Sequence, residues 1–381
     1  MAGLYLHIPY CSQRCVYCDF YFVTTRKVHT PFIKALGQEL ELYASEYAHR
    51  EPIESIYFGG GTPSRLLIEE VETILLKIHD LYDTSVLQEV TFEMNPEDVT
   101  QEYLSGLIRL GIDRISLGVQ SFFDSDLKFL TRIHDASVAR QSIDLIQKSD
   151  IKKFSIDLIF GIPGQDMEYW AANLQIARDY QIPHISTYGL TIEENTPLHK
   201  QVQNGIVTPI SDEDHSQRFL FTMDFLREHG YEHYEISSFA LKGARSFHNH
   251  RYWSHSNYIG CGPSAHSFWW KGLPARRWEN VRNLKSYEAL LAGYTRPTDE
   301  QEALSLDVLA REYIMLRLRT SDGLDLNILE ERYGADLLLE RVDVLAQLEE
   351  SAFIHPIRNQ IVRLTDQGKT ICNSVIEKLM L

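Results

Sequence analysis

Cysteine is scarce in this chain, with five residues in 381. That count excludes a small disulfide scaffold. No stretch of about 18 uncharged apolar residues occurs, so no membrane span is expected. Basic charge is also short: 37 Lys and Arg face 53 Asp and Glu, for a net charge of −16. Such a chain repels phosphate backbones, and nucleic acid is not an expected partner. The opening Met1-Ala2-Gly3-Leu4-Tyr5 lacks a basic region followed by an apolar run. No signal peptide is therefore expected, and a reducing cytoplasm is the expected compartment. Repeats and low-complexity segments are missing too. What is present is ordinary globular composition, 44% hydrophobic and 24% charged, at a length that suggests two domains or one large domain with an appendage.

The first half alternates strand-like and helix-like segments. Strands are expected at Leu4–Ile8, Ser55–Phe58, Glu89–Met94, Arg114–Val119, Lys153–Phe160 and His184–Leu190. They are short, β-branched or aromatic, and bounded by Gly, Pro or polar residues. Helices are expected at Pro31–Tyr47, Ser64–Tyr82, Thr100–Leu110, Ser137–Lys148 and Asp166–Tyr180. This order predicts parallel pairing through right-handed crossovers, as a doubly wound sheet or a complete or partial barrel. Polar or glycine-rich residues sit at each strand end, where such folds gather their chemistry. Residues 191–302 are rich in His, Tyr, Trp and Asn and have weak periodicity. Beyond them, helices are expected at Ala303–Leu318, Leu326–Tyr333, Asp336–Leu348 and Thr365–Met380. A hairpin is expected to turn through Ile357-Arg358-Asn359. The pattern resembles a small winged-helix module, read here as a lid or partner surface.

Three of the cysteines fall in Cys11-Ser-Gln-Arg-Cys15-Val-Tyr-Cys18, a C-x3-C-x2-C spacing. Three thiolates this close can each hold one iron of a cubane cluster. With no fourth cysteine nearby, one iron is left open, which points to chemistry rather than structure. The competing reading is a structural zinc completed by His7 or Asp19, in an α/β protein without radical chemistry.

The stretch from Tyr5-Leu6-His7-Ile8-Pro9-Tyr10-Cys11 to Cys18-Asp19-Phe20 resembles the radical S-adenosylmethionine superfamily. The resemblance is to the branch that holds oxygen-independent coproporphyrinogen III dehydrogenases and the HemW heme chaperones. It implies a partial (β/α)6 barrel and a [4Fe–4S] cluster on Cys11, Cys15 and Cys18. In that superfamily the open iron takes S-adenosylmethionine, which one electron cleaves. Further matches imply cofactor contacts from Tyr5, from Gly60, Gly61 and Thr62 in Tyr57-Phe58-Gly59-Gly60-Gly61-Thr62-Pro63, and from Glu93, Gln120 and Arg132. Asp157 matches the family's ribose contact. Arg132 suits a carboxylate through its fork of N–H donors.

Two features separate the members of the branch. The dehydrogenase carries a further cysteine where this chain has Phe20, and a longer N-terminal extension before its first strand. Conversely, His248-Asn249-His250-Arg251-Tyr252-Trp253 matches the heme chaperones' H-N-x-x-Y-W motif. Heme iron accepts axial histidine and aromatic rings suit a flat macrocycle, so His248, Asn249, Tyr252 and Trp253 are expected at a heme site. If the stretch is helical, His248 and Tyr252 share a face. Otherwise it closes the open side of the barrel with Trp253 as a core plug. His250, His255, His266 and Cys261 are spare donors, and Gly260-Cys261-Gly262-Pro263-Ser264-Ala265-His266 resembles a loop lying over the cofactor.

The expected architecture is thus a radical S-adenosylmethionine core at 1–190, an extension at 191–302 and a winged-helix-like domain at 303–381. The resemblance implies a chaperone without coproporphyrinogen oxidase activity that carries heme as cargo. Its partners would be a heme donor and acceptor hemoproteins, with an electron donor if the cofactor is cleaved. The alternative is the dehydrogenase, which decarboxylates propionate side chains. Membrane contact is expected to be peripheral at most, since no strongly amphipathic basic helix is evident.

Overall fold

A computed structural model describes residues 1–24, 29–48 and 50–380. The six expected strands all form: β1 (Ala2–Ile8), β2 (Ile53–Gly60), β3 (Glu89–Met94), β4 (Arg114–Gln120), β5 (Lys153–Phe160) and β6 (His184–Gly189). They pair in that order and all in parallel. Crossover helices cover the outer face: α1 (Thr30–Tyr47), α2 (Ile68–Leu81), α3 (Gln101–Arg109), the short α4 (Asp124–Phe129), α5 (Ala136–Gln147) and α6 (Met167–Asp179). Alternation along β1 sends Leu4, Leu6 and Ile8 into this helical core. Each such side chain contributes about 2 kcal/mol by burial. Tyr5 and His7 face the other way, into the barrel.

Helix starts follow local chemistry. Thr100, Asp135 and Asp166 each accept a backbone N–H of the first turn of their helices, a cap worth about 1 kcal/mol. The expected helix Ser64–Tyr82 is shorter. Pro63–Arg65 form one 3-10 turn, Leu66 and Leu67 are extended, and α2 opens with the Glu70 carboxylate on the Leu67 N–H at 2.8 Å.

The weakly periodic middle is where the structure adds most. After α7 (Pro197–Gln203) and α8 (Asp212–Glu228) come β7 (Glu232–Glu235), β8 (Ser238–Ala240), α9 (Phe247–Trp253), β9 (Tyr258–Cys261), β10 (His266–Trp269), β11 (Ala275–Asn280), α10 (Leu284–Ala292) and β12 (Thr298–Leu304). Strands β8 and β7 extend the β6 edge, antiparallel. On the other side β9 pairs in parallel with β1, and β10, β11 and β12 follow antiparallel. Among the described residues this makes one sheet of twelve strands. The added strands are three to seven residues long, and β12 is almost wholly exposed, so neither length nor alternation betrays them.

The C-terminal part holds α11 (Leu306–Leu318), β13 (Leu324–Asp325), α12 (Leu326–Tyr333), α13 (Leu337–Glu340), α14 (Val342–Glu350), β14 (Ile361–Val362), α15 (Asp366–Thr370) and α16 (Cys372–Leu379). The helix expected from Ala303 begins at Leu306, because Ala303 and Leu304 complete the ladder with β11. The one expected over Asp336–Leu348 breaks at Arg341 (φ −134°), and the last breaks at Ile371 (φ −117°). The hairpin closes at Arg358 and Ile361, with Asn359 and Gln360 both at positive φ. That is a two-residue turn where a three-residue one was expected. A second core of Leu309, Ile314, Leu345 and Val375 also takes in Phe268 and Ala275 from the extension. Among the described residues no helix is long and apolar enough to cross a membrane.

Candidate functional site

The cysteine loop leaves the C-terminal end of β1 and is strapped to its neighbours through backbone. Gly61 N–H donates to the Ile8 carbonyl at 2.8 Å, Cys11 N–H to Val23 at 3.1 Å, and Leu198 N–H to Val16 at 2.9 Å. Gln13 reaches the Thr131 carbonyl at 2.9 Å. The three thiols are half-buried and near one another. Burial pushes the Cys11 thiol up to about 11 and Cys18 up to about 12. Free Cys11 and Cys18 are therefore protonated at neutral pH, and a metal must displace those protons to bind. Thr62 Oγ1 donates to Cys11 Sγ and Arg132 Nη1 to Cys15 Sγ, both at 3.5 Å.

Among the described residues, no three His, Cys, Asp or Glu side chains gather tightly enough to share a single ion. The zinc reading gains nothing from its proposed fourth ligands. His7 is held by Tyr5 Oη at 3.3 Å and the Tyr21 carbonyl at 2.9 Å, and its ring lies against Gly60. Asp19 is exposed. Three neighbouring thiols, each on its own iron, suit a cluster.

The cofactor residues expected from sequence converge on the same rim. Gly60 sits at φ 106°, and a Cβ on Gly61 would lie 3.1 Å from Cys11 Sγ and 2.8 Å from the Tyr10 carbonyl. Only glycine leaves that space open. Arg132 Nη2 donates to Asn95 Oδ1 at 2.6 Å and to the Gly118 carbonyl at 3.0 Å, while its Nε is buried without a partner. Asn95 in turn donates to Thr62 Oγ1 at 3.3 Å. Gln120 stands at a bulge between β4 and β5 with φ 68°. A bulge with left-handed backbone re-aims a side chain, at a cost of order 1–3 kcal/mol.

The carboxylates lie deeper. Glu93 accepts Tyr57 Oη–H at 2.7 Å, and burial raises its pKa to about 7. Asp157 is raised to about 6 by burial, opposed by a hydrogen bond from Ser186. Burial and the nearby Glu93 raise the Tyr5 phenol. The rim therefore combines three neighbouring thiols, an orphaned guanidinium nitrogen, glycine clearances and two carboxyls poised near neutrality, which fits a cluster with a zwitterionic ligand. Tyr57 and Asn95 were missed as site residues. Alternation along β2, which puts Tyr57 on the face of Gly59, and a polar residue closing β3 are the signals that mark them.

The His-Asn-x-x-Tyr-Trp segment lies elsewhere. It forms α9, and His248 and Tyr252 do share a face, with Nε2 and Oη 2.8 Å apart. His248 Nδ1 is 2.8 Å from Ser55 Oγ, and its ring packs 5.0 Å from Tyr57. Both nitrogens are thus engaged in a side chain 1% exposed, and burial lowers its pKa to about 3. The ring fits because Gly3 has no side chain: a Cβ there would meet it at 3.2 Å. Gly3 and Ser55 are five residues before Ile8 and Gly60 along their strands, which is about 16 Å at strand spacing. Asn249 and Trp253 are only half-buried. The structure gives the plug position to His248 rather than Trp253, at the end of the barrel opposite the cysteines. Glu89 fixes this helix, accepting the Phe247 and His248 N–H groups at 3.2 and 3.0 Å. Cys261 is fully buried in the outer core and is no cluster ligand.

Comparison with known proteins follows this geometry. The Radical SAM superfamily model matches residues 5–192, and the HemN C-terminal domain model matches residues 304–371. The heme chaperone HemW of Lactococcus lactis is 32% identical over 99% of this chain and 97% of its own length. That of Bacillus subtilis is 32% identical over 98% of both. Coproporphyrinogen III oxidase HemN of Escherichia coli, a radical SAM enzyme, superposes with a TM-score of 0.85 over 100% of this chain and 90% of its own. At 20% identity it shows the fold alone.

Proposed function

This chain belongs to the HemW family within the radical S-adenosylmethionine superfamily, and from that premise we propose that it binds heme and passes it to acceptor hemoproteins. The observation that carries the reading is identity of 32% over essentially the whole length of two heme chaperones. Exposed Phe20, in place of the dehydrogenases' additional cysteine, supports it over the decarboxylase alternative.

In this reading Cys11, Cys15 and Cys18 hold a [4Fe–4S] cluster. Tyr5, Gly60, Gly61, Thr62, Glu93, Gln120, Arg132 and Asp157 hold S-adenosylmethionine beside it. Bound together, the two groups supply one-electron chemistry at the sulfonium centre, and an electron donor is a partner only if that chemistry is used. The protein's own part is positional. Arg132 shields the Cys15 sulfur and presents a free N–H. Glu93, held by Tyr57, accepts from an ammonium, and Asp157 accepts from a hydroxyl pair. The segment 1–190 is the cofactor unit, 191–302 the extension that walls the lumen, and 303–381 the surface offered to a partner. The matched family models, ending at 192 and starting at 304, support that division.

Two assays on anaerobically reconstituted protein test the proposal. Incubation with S-adenosylmethionine, a reductant and coproporphyrinogen III should give no decarboxylated porphyrin. Hemin-loaded protein should give up its heme, one for one, to an apo-hemoprotein. Multiple-turnover decarboxylation would overturn the chaperone reading.

A further inference from the structure

If heme is the cargo, an imidazole must be free to take its iron. Between the start of α9 and the end of β10 the extension carries four of its histidines. Both nitrogens of His248 are engaged, as described above. Those of His255 face Tyr333 Oη at 3.1 Å and Glu312 at 3.2 Å, in a side chain 5% exposed. His250 is half-buried on the far side of α9, 3.9 Å from Asp322. His266 differs from all three. It opens β10, its side chain is 57% exposed, and its Nε2 lies 3.6 Å from Glu279 Oε1.

The sheet fixes which way His266 faces. Tyr5 and His7 point into the barrel from β1, and Gly260 pairs with Tyr5. Tyr258, two residues before Gly260, pairs with Phe268. By alternation His266, two residues before Phe268, lies on that inner face. Phe268 is covered by the C-terminal core, whereas His266 lies beyond the cover, towards the rim. His266 and Arg282 both lie near His7. Arg282 Nη2 also donates to the Asp19 carbonyl at 3.4 Å, tying this corner to the loop that presents Phe20, 65% exposed, just past Cys18.

We propose that His266 is the axial ligand of the heme that this protein carries, with Glu279 behind it, Phe20 as an apolar plate and Arg282 as a cation for a propionate. The site rests on the heme-binding reading above and names its ligand. Glu279 Oε1 is buried and has no hydrogen-bond partner. A carboxylate so placed accepts the second N–H of a ligated imidazole, fixes its tautomer and raises its donor strength. Heme iron takes histidine, its ring system is flat and apolar, and guanidinium matches carboxylate bidentately.

The test is hemin titration of full-length protein with its cluster reconstituted, so that the thiols are already engaged. Wild type should bind one hemin with a saturable Soret change. His266→Ala should weaken binding about tenfold or more, a loss of about 1.4 kcal/mol, and alter the ligand-field spectrum. Added imidazole should restore that spectrum. His250→Ala should behave as wild type. An unchanged spectrum and affinity in His266→Ala overturn the assignment and leave the chaperone reading standing. Weakened binding that imidazole does not rescue makes His266 structural and also overturns it. Absence of hemin binding by wild type overturns both.

Discussion

The two ends of the barrel use polar residues in opposite ways. At the end plugged by α9, Ser55, Glu89, His248 and Tyr252 satisfy one another or the backbone. At the cysteine rim, polar groups have capacity to spare: Arg132 Nε has no partner, Gln120 is held at positive φ, and the thiols are half-exposed. From sequence His248 and Tyr252 read as ligand residues just as Gln120 and Arg132 did. The difference teaches that a motif's residue types do not by themselves tell a site from a plug: the bonds of His248 are used up within the plug, whereas Arg132 keeps an N–H free beside the thiols.

Mutation should separate the two ends. The largest effect is expected from Glu89→Ala, which leaves the Phe247 and His248 N–H groups buried without acceptors. A loss of about 3 kcal/mol is expected in urea unfolding, and a change under about 1 kcal/mol would mean that the plug is not held as described.

Next is a pH effect. His248 has its pKa lowered to about 3 in the fold, from 6.5. A lowered folded value means stability is fully present above pH 6.5 and is lost as pH falls towards 3, because only the unfolded chain takes up the proton. The slope is about 1.4 kcal/mol per pH unit. His248→Gln should flatten the stability profile by that amount between pH 6 and 4; an identical profile would show that another group carries the acid sensitivity.

The smallest change in stability is expected at the rim. Gln120→Gly relieves positive φ but adds freedom to the unfolded chain, so stability should stay within about 1 kcal/mol. Binding of S-adenosylmethionine, followed calorimetrically, should weaken in the same variant. Intact binding would remove Gln120 from the site.

Much of this was legible in the sequence. The six core strands announce themselves through β-branched runs ended by Gly, Pro or polar residues, and the cysteine spacing marks the end of the barrel where the candidate site residues gather. Asp157 stands out because an acid inside an apolar strand needs a reason. What was not legible has two physical causes. Strands such as Ser238–Ala240 and Thr298–Leu304 owe their form to a neighbouring edge rather than to a pattern of their own. The fate of His248 depends on Gly3 and Ser55, nearly two hundred residues or more away in sequence, and no local spacing records such an encounter.

The place of β1 in the middle of the sheet has a consequence for how the molecule is made. Its partner on one side is β2, but on the other it is β9, which begins at Tyr258, about 250 residues after Ile8. Through most of synthesis the first strand therefore has an open edge. The loop of Cys11, Cys15 and Cys18 likewise waits for Arg282 and for the Leu284 N–H that meets Tyr21 Oη at 2.6 Å. A nascent chain stalled before residue 258 would expose an unpaired strand directly beside three thiols. This segment is where premature pairing or oxidation would do most harm.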